Sequence, residues 1–133
     1  MKRIVIHPAD GWAVMNEHDC PLTYARPDGI GAFQISVAEY ESGVVPYATN
    51  DDLIELGVAL AKHHSMEIKA SEAGACTMGR YGFVQCLEGE FHTLIWHLAD
   101  GRDFVLATFT AGSLVAAEVR DIWSMVRSLH LEP

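Results

Sequence analysis

The sequence predicts an α+β protein: an antiparallel sheet of about five or six strands, with a C-terminal meander, flanked by two main helices as an α/β/α sandwich. Three observations predict it. Tyr81 to Thr110 consists of three runs rich in β-branched and aromatic residues, broken by Glu88-Gly89-Glu90 and Asp100-Gly101. Asp-Gly between apolar runs is a strong hairpin signal, because both central residues of a type I′ turn need positive φ. Two other segments, Asp51 to His64 and Ser113 to Leu129, repeat apolar residues at helical spacing. Finally, 133 residues at 50% hydrophobic match a single domain, 1–133, that buries a core without metal or disulfide staples.

Taken in order, Arg3 to His7 and Trp12 to Asn16 are predicted strands joined by the Pro8 to Gly11 turn, an N-terminal hairpin. Glu17 to Gly29 is polar and rich in breakers (Pro21, Pro27, Asp28-Gly29), so it is expected to be a long surface loop. Gly31 to Ala38 alternates, with Phe33, Ile35 and Val37 on one side and Gln34 and Ser36 on the other, as in a strand with one buried face. Glu39 to Asn50 is expected to be loop.

The first helix is predicted from Asp51 to His64, capped by Thr49 or Asn50. Asp51, Asp52 and Glu55 sit near its start, where the helix dipole favours negative charge. Leu53, Leu56, Gly57 and Leu60 form its apolar stripe. Between Ser65 and Gly79, Met66 to Ala70 is compatible with a short strand and Ser71 to Gly74 with a loop.

In the meander, a two-residue Asp100-Gly101 turn would pair Trp96 with Val105 and Leu94 with Ala107 on one face. Ile95 would pair with Leu106, and His97 with Phe104, on the other. Both faces are apolar. Each must therefore be covered, or one covered and the other used for binding. In the last helix Val115, Val119, Ile122, Val126 and Leu129 make the apolar stripe, and Ser113 is the expected N-cap. Glu118 falls at the edge of that stripe beside Met125 and Leu129, where a carboxylate needs a donor; Trp96, His92 and His97 are the candidates.

The sequence offers few constellations for chemistry, and neither a catalytic residue nor a cofactor is assigned. His92 and His97 are five apart in one strand and point to opposite faces, so they cannot share a metal. His63 and His64 diverge by about 100° on a helix. Cys20, Cys76 and Cys86 are an odd number at wide spacing, with no CxxC motif, and fit a reducing cytosol. The chain has no glycine-rich phosphate loop followed by a helix, nor a GxSxG elbow. The apolar run after Met1-Lys2-Arg3 is too short for a signal peptide, and no run approaches membrane-spanning length, so a cytoplasmic protein without membrane contact is expected.

Charge is the most informative functional feature. The net charge is -9, which disfavours nucleic acid as a partner and favours a basic one. Arg26 and Lys62 bracket a segment with no basic residue that carries Asp28, Glu39, Glu41, Asp51, Asp52 and Glu55. Helix N-terminal preference accounts for Asp51, Asp52 and Glu55 without a partner. Clustered like charge also steers a complementary protein, so the six acids are the candidate partner-binding residues.

The order of elements, with Gly11-Trp12 in the second strand, GAFQIS at Gly31 to Ser36, a helix opening Asp51-Asp52-Leu53, the meander and the ending AEVRDIWSMVRSL, resembles the PsbP-like family of small α/β/α proteins. The same fold appears in small bacterial proteins thought to be immunity proteins of polymorphic or contact-dependent toxin systems. The resemblance implies a non-catalytic binding protein, most concretely an immunity protein whose acidic surface blocks a basic toxin domain. The alternative from a different class is a small-molecule binding protein or enzyme. Its pocket would lie between the sheet and the Glu17 to Gly29 loop, lined by Trp12, Tyr24 and a histidine.

Overall fold

The computed structural model describes residues 3–15, 22–26, 29, 31–38 and 48–133. Its elements in chain order are β1 (Arg3–Val5), β2 (Ala13–Val14), β3 (Leu22–Ala25), β4 (Ala32–Ala38), α1 (Asn50–His63), β5 (Glu67–Ala75), β6 (Arg80–Glu88), β7 (Phe91–Ala99), β8 (Phe104–Ala111), α2 (Ala116–Ser128) and β9 (His130–Glu132). Seven strands form one sheet in the order β2-β3-β4-β8-β7-β6-β5, and β1 pairs with β9 in a separate ribbon. Every one of these pairings is antiparallel. The α+β class is as expected, with more strands than predicted.

The alternation of side chains gives the sheet two apolar faces. Phe33, Ile35, Phe83, Leu94, Trp96, Leu98, Val105, Ala107 and Phe109 gather on one face with Ile122, Met125 and Val126 of α2. Trp123 of α2 lies against Tyr81, Phe83 and Trp96, with ring centroids 5.4, 4.9 and 5.3 Å apart. Val84, Cys86 and Ile95 face the other way and pack with Ala61, Ile54 and Val58 of α1. Each helix therefore covers one face of the sheet.

Several expectations need correction. The two N-terminal strands do not form a hairpin with each other. Arg3 lies opposite Glu132 and Ile4 opposite Leu131, while Ala13 lies opposite Ala25. Trp12 explains the separation, because its indole is buried in the α2-side core and donates to Asp121 Oδ2 at 3.0 Å, which draws the chain inward after the turn. The expected Glu17 to Gly29 loop contains β3, which borders β4.

The segment after α1 is a nine-residue strand, β5, rather than a short strand and a loop. Its Ala, Ser and Gly residues have weak strand propensity and it is an edge strand, largely exposed, so it carries no apolar alternation; pairing with β6 makes it a strand. Ser113 does not cap α2. The N-cap is Val115, with no side-chain hydrogen bond.

The β7-β8 turn has four residues instead of two, so Trp96 lies opposite Ala107 and His97 opposite Leu106. Asp100 Oδ1 accepts the N–H groups of Arg102 and Asp103 at 2.8 and 2.7 Å, and Gly101 takes φ +95°. The side chain of Asp100 thus builds the wider turn. The register moves by two residues, which preserves the face of every side chain, so the predicted split of the meander survives the wrong pairing.

Candidate protein-binding face

Helix α1 begins with a capping box. The Thr49 N–H donates to Asp52 Oδ2 at 2.9 Å, and the Asp52 N–H donates to Thr49 Oγ1 at 3.1 Å. Hydrogen bonding from Thr49, by its backbone N–H foremost and its side chain second, holds the Asp52 carboxyl below the usual carboxylate range. Asp52 thus anchors the helix start through Oδ2, while its carboxylate remains exposed on the helix surface. Asp51 and Glu55, four residues apart and so neighbours on the helix surface, are exposed and take no part in the box. Asp28, Glu39 and Glu41 lie outside the described residues.

The buried stripe of α1 is Leu53, Gly57 and Ala61. It seats the helix over β5, β6 and β7. Gly57 abuts Val84 Cγ2, and the Leu53 backbone abuts Gly82. On the same sheet face a cleft of about 410 Å³ opens toward β8 and β4, lined by Ser36, Val37, Leu56, His97, Phe104, Val105 and Leu106. Leu56, 42% exposed, stands on its helix wall. Asp52, exposed and four residues before Leu56, is its neighbour on the helix surface and sets a carboxylate beside the helix wall of the hollow, whereas Glu55 points about 100° away around the helix.

His97 is the titratable group of this cleft. Burial lowers its pKa to about 4, so the ring is neutral near pH 7. Its Nδ1 is turned inward without a hydrogen-bond partner, 3.8 Å from where a Cβ on Gly57 would lie. His92 lies in register with Ala111 and Leu87, and its position in β7 has the opposite side-chain parity to that of His97. The rings of His63 and His64 do meet, with centroids 5.1 Å apart, because His64 has left the helix as its C-cap and the 100° spacing no longer applies.

Trp12 and Tyr24, 6% and 8% exposed, belong to the α2-side core, whereas the cleft opens on the α1 side. Glu118 is 5% exposed, and its Oε2 has no hydrogen-bond partner. Neither Trp96 nor His97 serves it; Trp96 Nε1 and His97 Nδ1 are themselves unpaired. Gly29 lies over this carboxylate, and a Cβ there would be 3.0 Å from Oε2. Burial raises the thiol pKa of both Cys76 and Cys86, which keeps them protonated and poor nucleophiles. Among the described residues no group of three His, Cys, Asp or Glu side chains is placed to hold a metal ion, and no helix is long and apolar enough to cross a membrane.

The cleft was only half visible in the sequence. Two apolar faces on the meander implied a surface in need of cover. The missing signal was coverage: a 14-residue α1, about 21 Å long at 1.5 Å per residue, cannot span all seven strands. No protein-family model matches the chain, and no significant match was found among curated proteins.

Proposed function

We propose that this protein is a non-catalytic, cytoplasmic protein-binding protein, most concretely an immunity protein that neutralises a basic toxin domain through its acidic face. The observation that carries the reading is the exposed pair Asp51 and Glu55 on α1. Asp52 has a structural task in the capping box, and these two do not share it. A net charge of -9, and a stretch from Asp28 to Ala61 without a basic residue, favour a basic protein as partner. Asp28, Glu39 and Glu41 belong to the same acidic stretch of sequence.

The test uses the product of the neighbouring gene, co-expressed with this protein and purified as a complex. Association rates are then measured at low and moderate salt for the wild type and for Glu39→Lys with Glu41→Lys. Rim charges act mainly on the association rate, so the double reversal should slow binding and flatten its salt dependence while leaving stability unchanged. Equal rates and equal salt slopes would remove the acidic segment from the binding surface.

A further inference from the structure

We propose that the cleft between α1 and β8 seats a segment of the partner in which an apolar side chain neighbours a lysine or arginine. The apolar side chain fills the hollow, its peptide carbonyl accepts from His97 Nε2, and the cation meets Asp52. This inference rests on the protein-binding reading above and names the point of contact.

Three observations select that occupant. The walls are apolar, from Leu56, Phe104 and Leu106, so the group that enters must be apolar. The ring of His97 lines the cleft while its Nδ1 is buried under α1 without a partner. A buried N–H with no acceptor costs more than a bare lone pair, which places the proton of the neutral ring on Nε2. An occupant therefore meets a single hydrogen-bond donor and needs one acceptor.

The rim decides between acceptors. A carboxylate would be repelled by Asp52, whereas a peptide carbonyl is neutral. A Lys or Arg side chain on the adjacent residue can lay its aliphatic stem along Leu56 and bring its charge to Asp52. Apolar hollow, neutral acceptor and flanking cation together describe a basic protein segment rather than an anionic metabolite.

The seat is tested by NMR on the full chain, with methyl groups of Leu56 and Leu106 and the imidazole nitrogens of His97 as reporters. The probes are N-acetyl-leucyl-lysinamide, N-acetyl-leucyl-glutamamide and N-acetyl-glycyl-lysinamide. The first should shift all three reporters saturably, with a dissociation constant on the order of millimolar. The second should bind at least roughly fivefold more weakly, about 1 kcal/mol of lost charge attraction, and the third should leave the methyl groups unmoved. Leu56→Gln, at an exposed helix position that tolerates the change, and His97→Leu, which keeps an apolar ring-sized filler without the donor, should each weaken the first probe at least roughly threefold.

No saturable shift with leucyl-lysinamide, or the same affinity for leucyl-glutamamide, would overturn the proposal; the latter would mark a site for small apolar molecules. The two readings also fail separately. If the neighbouring-gene partner loses association rate on charge reversal but binds Leu56→Gln and His97→Leu as tightly as wild type, the acidic face stands and the seat falls.

Discussion

A Cβ on Gly82 would lie 2.4 Å from the carbonyl carbon of Leu53 and 2.5 Å from the amide nitrogen of Ile54, so the first turns of α1 rest directly on the backbone of β6. Backbone cannot step aside as a flexible side chain can. Gly82→Ala should therefore lift α1 off the sheet and cost roughly 1 to 3 kcal/mol or more, read from urea denaturation midpoints. Gly57 gives a sharper test. Alanine there gains about 1 kcal/mol of helix propensity, yet its methyl would come 2.6 Å from Val84 Cγ2. Gly57→Ala alone should destabilise, and adding Val84→Ala should recover part of the loss. Additive effects in that double-mutant cycle would show that the helix sits farther from β6.

On the opposite face, Ile122 of α2 is fully buried against the large aromatic core. Ile122→Ala removes three carbons and leaves a cavity that the surrounding rings cannot close, so about 2 to 5 kcal/mol should be lost. A thermal midpoint equal to that of the wild type would make α2 peripheral.

Legibility in the sequence followed burial and alternation. Phe33 and Ile35 on β4, the meander and the Val119 to Val126 stripe were readable because strong apolar periodicity coincides with real burial. Three kinds of information were not local. The partner of Arg3 to Val5 is β9, more than 120 residues away, and no turn signal can announce it. β5 is a strand by pairing, with Ala, Ser and Gly where propensity would ask for Val or Ile. Asp100-Gly101 predicts a tight turn, whereas the side chain of Asp100 caps a wider one. The acidic candidates were legible as charge, but the cleft beside them depends on which strands α1 leaves uncovered, a tertiary fact.

The α1 capping box separates structural from surface acids. Thr49→Ala removes the acceptor for the Asp52 N–H and should cost about 1 kcal/mol. Asp52→Asn loses the charge at the helix N-terminus but keeps an acceptor for the Thr49 N–H, so it should cost less. Glu55→Lys, on an exposed site outside the box, should stay within about 0.5 kcal/mol of wild type by chemical denaturation. A large loss at Glu55 would assign it to the fold and remove it from the acidic face.

His97 gives the protein a specific acid sensitivity. Burial alone lowers its pKa from 6.5 to about 4. In the unfolded chain the imidazole binds a proton below about 6.5, whereas the folded protein resists protonation until about pH 4, so in that window the unfolded state holds more protons. Stability must then fall as the pH drops from about 6.5 to about 4, by roughly 1 to 3 kcal/mol from this residue, and be insensitive to it above that range. Asp52 and Glu132, whose carboxyls are held below their usual range by Thr49 and Arg3, also lose stabilisation in acid. Their contribution is common to wild type and variant and cancels in a difference. Unfolding free energies of wild type and His97→Gln, measured in urea at several pH values from 7 to 4, should therefore converge or cross as the pH falls, because the variant lacks the protonation that favours unfolding. Parallel profiles over that window would mean that His97 is protonated as readily in the folded protein as in the unfolded chain, and that its ring is not held neutral beneath α1.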